Sequence, residues 1–145
     1  MIPMAHDTVT LYMRHVVDRK DVWVRAEIHG CVWSQKTVRG VDSNGNARLV
    51  RQTVVIIPIE AVVLVGGVAA IYCAPKMYAA LTDEQRAAAW TLSKGSVIIR
   101  GQGGDITEIY NLAALKAADD TYATVQVISD NTNRPVLMHW QIEAV

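Results

Sequence analysis

The sequence predicts a mainly β chain with short helices, an antiparallel β-barrel or sandwich forming a single domain over residues 1–145. Three observations predict it. Apolar and polar residues alternate at a period of two in several separate stretches, which puts one set of side chains on a buried sheet face. Asx, Gly and Pro residues gather between those stretches, where tight turns need them. Helical spacing is confined to short tracts. At 145 residues the chain is long enough for one hydrophobic core.

The first strand is expected over 8–17, where Val9, Leu11 and Met13 alternate with Thr8, Thr10, Tyr12 and Arg14. A charged turn at 18–21 leads into a second strand, in which Val22, Val24, Ala26 and Ile28 alternate with Trp23, Arg25, Glu27 and His29. Gly30 interrupts that alternation and predicts a bulge before Val32 and Trp33. The tract Asp42-Ser43-Asn44-Gly45-Asn46 is a hairpin signal, and its Asn-Gly pair predicts a type I′ turn. The following strand, 49–57, stops at Pro58, which cannot donate to a ladder.

Residues 61–74 carry no charge. A membrane span needs about 20 apolar residues, and this run is bounded by Pro58 and Glu60 before it and by Pro75 and Lys76 after it. Its β-branched residues and Gly66-Gly67 fit two short strands or an extended arm over about 59–74. Thr82 and Gln85 form a capping box that starts a short helix. A second helix is expected to begin at Asp105-Ile106-Thr107-Glu108. Ile106, Ile109, Leu112 and Ala113 share a face that Leu115 and Ala117 extend. It should end before Asp119-Asp120, whose carboxylates oppose the helix dipole at its C-terminus.

The C-terminal half then offers a strand around Val97 and Ile99 and a hairpin of strands over 121–129 and 135–143. In that hairpin Val125 and Val127 alternate with Thr124 and Gln126. Val136, Met138, Trp140 and Ile142 alternate with Leu137, His139 and Gln141. The expected core is Trp90, Val97, Ile99, Val125, Val127 and Trp140.

Fourteen basic and fourteen acidic residues leave no formal net charge, so there is no basic field to drive sequence-independent nucleic-acid binding, which depends on neutralising phosphates. Two separated cysteines, Cys31 and Cys73, fit apolar thiols in a reducing compartment better than a disulfide scaffold. Residues 1–7 lack a cationic start and an apolar run, so no signal peptide is expected. His29 and Cys31 are a close His/Cys pair, but a zinc site needs about four ligands, and no second pair accompanies them. No tract supplies Cys31 with a base and an orienting group. The loop Gly101-Gln102-Gly103-Gly104 precedes a helical tract as a phosphate cradle would. It lacks the P-loop lysine, and Asp105 would repel a phosphate. Arg134 after Asp130 and Asn131 reads as a turn ion pair, and His139 as a surface histidine. No catalytic, metal or cofactor residues are expected.

One pattern carries a resemblance. Trp90-Thr91-Leu92, Gly95, an apolar strand ending Arg100-Gly101, a helical insert and a strand through Val125 and Val127 come first. Asp130-Asn131, Arg134-Pro135 and His139-Trp140 follow. This order resembles small virion proteins of long-tailed phages infecting Gram-positive bacteria, which are usually neck (head–tail connector) or minor structural proteins. The tract from Arg25 to Trp33 and the strand end Ile56-Ile57-Pro58 also fit. Ser96 departs from the pattern, which has Asp there, and 61–74 is more apolar than the usual polar linker.

The resemblance implies a structural protein of the neck, made in the host cytoplasm and carried in the virion. It would form a head-closing, stopper-like ring of six or twelve copies between portal-adaptor and tail-terminator or tail-tube proteins. Genomic DNA would pass through or be retained without sequence-specific binding, with no membrane and no cofactor. A tail terminator or minor tail protein is the nearest alternative. A ligand-binding β-barrel, or a membrane-associated protein using 54–74, is more distant. On apolar character, Val62, Leu64, Val65, Gly66, Gly67, Val68 and Ile71 are the candidate subunit contacts.

Overall fold

Among the described residues, ten strands and three short helices follow one another along the chain. The structure is a computed structural model and describes residues 5–107, 109, 111–133 and 135–145. Glu108 and Arg134, which the helix start and the turn ion pair invoked, lie outside the described residues.

Strand β1 (Asp7–Val17) pairs antiparallel with β2 (Lys20–Val41), and β2 with β3 (Ala47–Pro58). Next come β4 (Val62–Val65), β5 (Val68–Ala69) and β6 (Ile71–Tyr72), helices α1 (Pro75–Ala80) and α2 (Asp83–Arg86), and strands β7 (Ala89–Trp90) and β8 (Val97–Arg100). Helix α3 (Leu112–Ala118), β9 (Ala123–Asn131) and β10 (His139–Ala144) complete the chain. The hydrogen-bonded order β1-β8-β9-β10-β3-β2 returns to β1, so six strands close into an antiparallel barrel, and β4-β5 extend the sheet from the edge of β2. The mainly β, antiparallel, barrel-like single domain expected from the alternation is the fold found.

Gly30 makes that closure possible. Thr8 pairs with His29 but Asp7 pairs with Cys31, so Gly30 is an extra residue in β2. Below it β2 pairs with β1 and β4; above it, from Val32, it pairs with β3. One long strand thus serves both halves of the barrel.

Two turns exchange the roles expected of them. Asn44 is not at positive φ. The Gly45 amide donates to the Asp42 carbonyl at 3.0 Å, and only Gly45 is left-handed, at φ 80°. This is a three-residue loop with a glycine bulge rather than a type I′ turn. The I′ geometry falls instead at Asp18-Arg19, at φ 50° and 65°, between the paired residues Val17 and Lys20.

The core has two layers. Val9, Leu11, Met13, Ala26, Ile28, Val55, Ile57, Ile98 and Ile142 fill the barrel with Trp33, Trp90 and Trp140. Tyr12, Val97, Ile99 and Leu115 form a second cluster. Successive residues of β1 and β8 therefore point to opposite faces and are buried on both. Val97 and Ile99 are core, as expected, but in the outer layer under α3; Ile98 faces the barrel.

Val127 was expected in the core and is 47% exposed. The register explains it. Glu143 pairs with Val127 but Ala144 pairs with Val125, so Gln126 is bulged out. A one-residue slip moves the alternation to the other face, and Ile128, opposite Ile142, takes the inward position. Val136 and Met138 likewise precede β10 and are exposed, in a loop where Leu137 sits at φ 55°.

The helix expected from Asp105 starts at Leu112, where the Asn111 side chain accepts from the Ala114 amide at 2.9 Å. It ends before Asp119, as the dipole argument required. The capping box of Thr82 and Gln85 forms at 3.2 and 2.9 Å, but its helix is a single turn.

Candidate functional site: an open apolar edge and a projecting ribbon

The uncharged tract 61–74 folds as a hairpin fixed to its own subunit. Val62 to Val65 pair with His29 to Ala26, and Gly66-Gly67 turn the chain with both φ values positive, at 57° and 79°. No atom lies within 4 Å of a Cβ added at either glycine, so backbone conformation alone demands them. Val63 and Val65 are buried in the barrel core. Val65 therefore cannot be a subunit contact as expected, because alternation turns it inward. Leu64 is half-buried. Val62 faces solvent, and Val68 and Ile71 are 54% and 76% exposed.

The hairpin continues into a firm anchor. The amides of Ile71 and Cys73 donate to Ala88 and Trp90 carbonyls at 3.0 and 2.9 Å. The Tyr72 ring lies 5.0 Å from Trp90 and 4.6 Å from Trp140, and the two tryptophans meet at 5.1 Å. Strand β5 is the last in the sheet order. Its outer edge is thus open among the described residues, with Asp83 and Arg86 of α2 lining a cavity beside the neighbouring Val65. Natural edge strands are usually guarded by Lys, Pro, a covering element or their own shortness, and β5 is two residues long.

The second projection was not foreseen. Beyond Ser34 and Thr53, β2 and β3 leave the barrel as a two-stranded ribbon. Lys36 to Val41 pair with Gln52 to Ala47, six pairs spanning about 20 Å at roughly 3.4 Å per residue. Neither strand has a second neighbour there, since β1 stops at Cys31 and β10 at Thr53. Val41 and Leu49 near the tip are each 72% exposed.

The sequence matches, over residues 4–145, a family described as of unknown function (DUF6751). The chain belongs to this family. No curated protein and no solved structure matches it. The DUF6751 match spans the barrel and both projections.

His29 and Cys31 are separated by the bulge between them. Cys31 is fully buried and its thiol donates to the Asp7 carbonyl at 3.2 Å. Burial, with the Asp7 carboxylate as a second cause, pushes that thiol up to about 12. A neutral thiol at physiological pH is a poor nucleophile and a poor metal ligand. His29 stays on the barrel wall, 3.1 Å from Glu27 and 3.2 Å from Thr8. Among the described residues no three His, Cys, Asp or Glu side chains group closely enough to hold a metal.

The Gly101–Gly104 loop has its polar groups committed to the barrel. The Gly101 amide donates to the Thr8 carbonyl at 2.7 Å and the Gly103 amide to Thr10 Oγ1 at 3.0 Å. Tyr12 Oη and Arg25 donate to the Gly104 and Gly103 carbonyls at 2.8 and 2.7 Å. The loop seals the outer layer and leaves those amides no part in a phosphate cradle. No described helix is long and apolar enough to cross a membrane.

Proposed function

We propose that this protein is a structural component of the neck of a long-tailed phage, a ring-forming, stopper-like subunit in the head–tail connector. The observation that carries the assembly part is the open β5 edge. Its residues, Val68 and Ala69, are apolar, and the following β6 is pinned by the Tyr72–Trp90–Trp140 cluster, so a neighbour's strand or apolar face can dock at a low ordering cost. A head-to-tail contact of this kind closes into a ring when its rotation divides the circle. The phage part is supported by the sequence pattern of residues 90–145, and a tail-terminator ring would use the same contact.

Native mass spectrometry of the purified chain tests the reading. Assemblies of six or twelve copies are expected, and Val68→Asp with Ile71→Asp should return them to monomer with the melting temperature preserved. Both side chains are exposed, so the charges cost the subunit little. Leu64→Asp is a poorer probe because Leu64 is half-buried. An unchanged oligomer in the double variant would reject the β5 contact.

A further inference from the structure

The neutrality of the chain conceals a segregation of charge. Between residues 34 and 54 lie Lys36, Arg39, Arg48 and Arg51, against Asp42 alone. The ribbon therefore carries three net positive charges, and the rest of the neutral chain is three negative. Asp42 is tied into the tip, where its Oδ1 accepts from the Asn44 and Asn46 amides, each at 2.9 Å. None of the four cations has a carboxylate within ion-pair distance among the described residues.

Register distributes these cations evenly. Directly paired residues of an antiparallel ribbon share a face. Lys36 opposite Gln52, Val38 opposite Val50 and Gly40 opposite Arg48 make one face. Thr37 opposite Arg51 and Arg39 opposite Leu49 make the other. Each face thus presents two cations, one near the base and one nearer the tip. A flat acidic surface would meet only one face. A groove walled by phosphates on both sides meets both, and the B-form major groove, about 12 Å wide, admits a two-stranded β-ribbon.

We propose that the β2–β3 ribbon binds duplex DNA through its phosphates, entering the major groove with Lys36 and Arg48 toward one strand and Arg39 and Arg51 toward the other. The contact is sequence-independent, since phosphates carry no base information. It stands independently of the ring assignment, because a monomer carries the whole ribbon.

The test is fluorescence anisotropy of the full chain with a labelled mixed-sequence DNA duplex between 50 and 200 mM salt. Four neutralised phosphates give a log–log salt slope of about −3.6, which is about a 150-fold loss of affinity over that range, and more if several ribbons engage. Lys36→Gln with Arg48→Gln, and separately Arg39→Gln with Arg51→Gln, should each reduce the slope by about 1.8. The fourfold variant should lose binding while its circular dichroism and melting temperature stay as in the parent.

No binding at 50 mM salt would overturn the proposal, as would wild-type affinity in the fourfold variant. Equal affinity for an RNA duplex would overturn groove entry, because the A-form major groove is too narrow to admit the ribbon. A fourfold variant that changes only the oligomeric state would assign the ribbon to a neighbouring copy instead. The Val68/Ile71 variant should bind DNA per subunit like the parent, so failure of the ring reading and failure of this one are separable.

Discussion

Trp140→Ala is the sharpest test of the packing that fixes the β4–β5 edge. Trp140 is 7% exposed, in the barrel core between Tyr72 and Trp90. Truncating a buried aromatic in a core costs about 3–5 kcal/mol. The two ring contacts contribute about 0.5–1.5 kcal/mol each beyond area burial, which pushes toward the upper end. One term opposes them: the indole Nε1 is buried without a hydrogen-bond partner among the described residues, and removing such a group recovers about 1–3 kcal/mol. The expected loss is therefore about 3–4 kcal/mol. Trp140→Phe keeps a ring and removes the unpartnered N–H, so it should cost less than Trp140→Ala, with a residual loss from the smaller cavity it leaves. Urea denaturation followed by far-UV circular dichroism measures both, with an unchanged slope showing that only stability moved. A double-mutant cycle with Tyr72→Ala should give a coupling of about 0.5–1.5 kcal/mol. A loss below about 1 kcal/mol for Trp140→Ala would refute the reasoning.

Other consequences follow from single sites. Asp18-Arg19 holds two non-glycine residues at positive φ, each strained by about 1–2 kcal/mol in general; replacement by Asn-Gly should raise the thermal midpoint in calorimetry. The Asp7 carboxyl is held below its ordinary value, chiefly by the Trp33 amide donating to it at 2.9 Å, with Arg100 adding to the effect and burial opposing it. A lowered folded-state value stabilises above the unfolded value of about 3.9 and is lost as pH falls through the folded one. Asp7→Asn should therefore flatten the decline of stability below about pH 4 in acid titrations. A thiol reagent should label the partly buried Cys73 slowly, and reach Cys31 only in denaturant. A chelator should leave the melting temperature unchanged; a clear drop would restore the His29/Cys31 metal reading.

The barrel was legible because its strands carry their inward residues at a period of two: Val9, Leu11 and Met13 in β1, and Ala26 and Ile28 in β2. Trp140 was legible for the same reason. Val127 was not, since the bulge at Gln126 shifts the face by one residue and polar Gln126 leaves no mark of it in the sequence. Tyr12 was hidden because the second layer that buries it comes from the distant segment ending in α3. The late start of α3 at Leu112 reflects a loop that spends residues 101–105 on bonds to the barrel wall. The Gly66-Gly67 hairpin could be read from two adjacent glycines between apolar runs, but not which of Val62 to Val68 would turn inward. The ribbon was missed for a different reason. Its signal, four cations against one carboxylate over 34–54, vanishes when charge is summed over the whole chain. Its length depends on where β1 and β10 stop, which no residue in the ribbon announces.

Cryo-electron microscopy of the assembled wild-type particle tests whether the proposed β5 edge carries the contact between subunits. The expected result is a closed ring of six or twelve copies in which Val62, Val68 and Ile71 lie against the neighbouring subunit. A ring whose contacts leave the β4–β5 hairpin in solvent, or a chain that stays monomeric at every concentration, would contradict it.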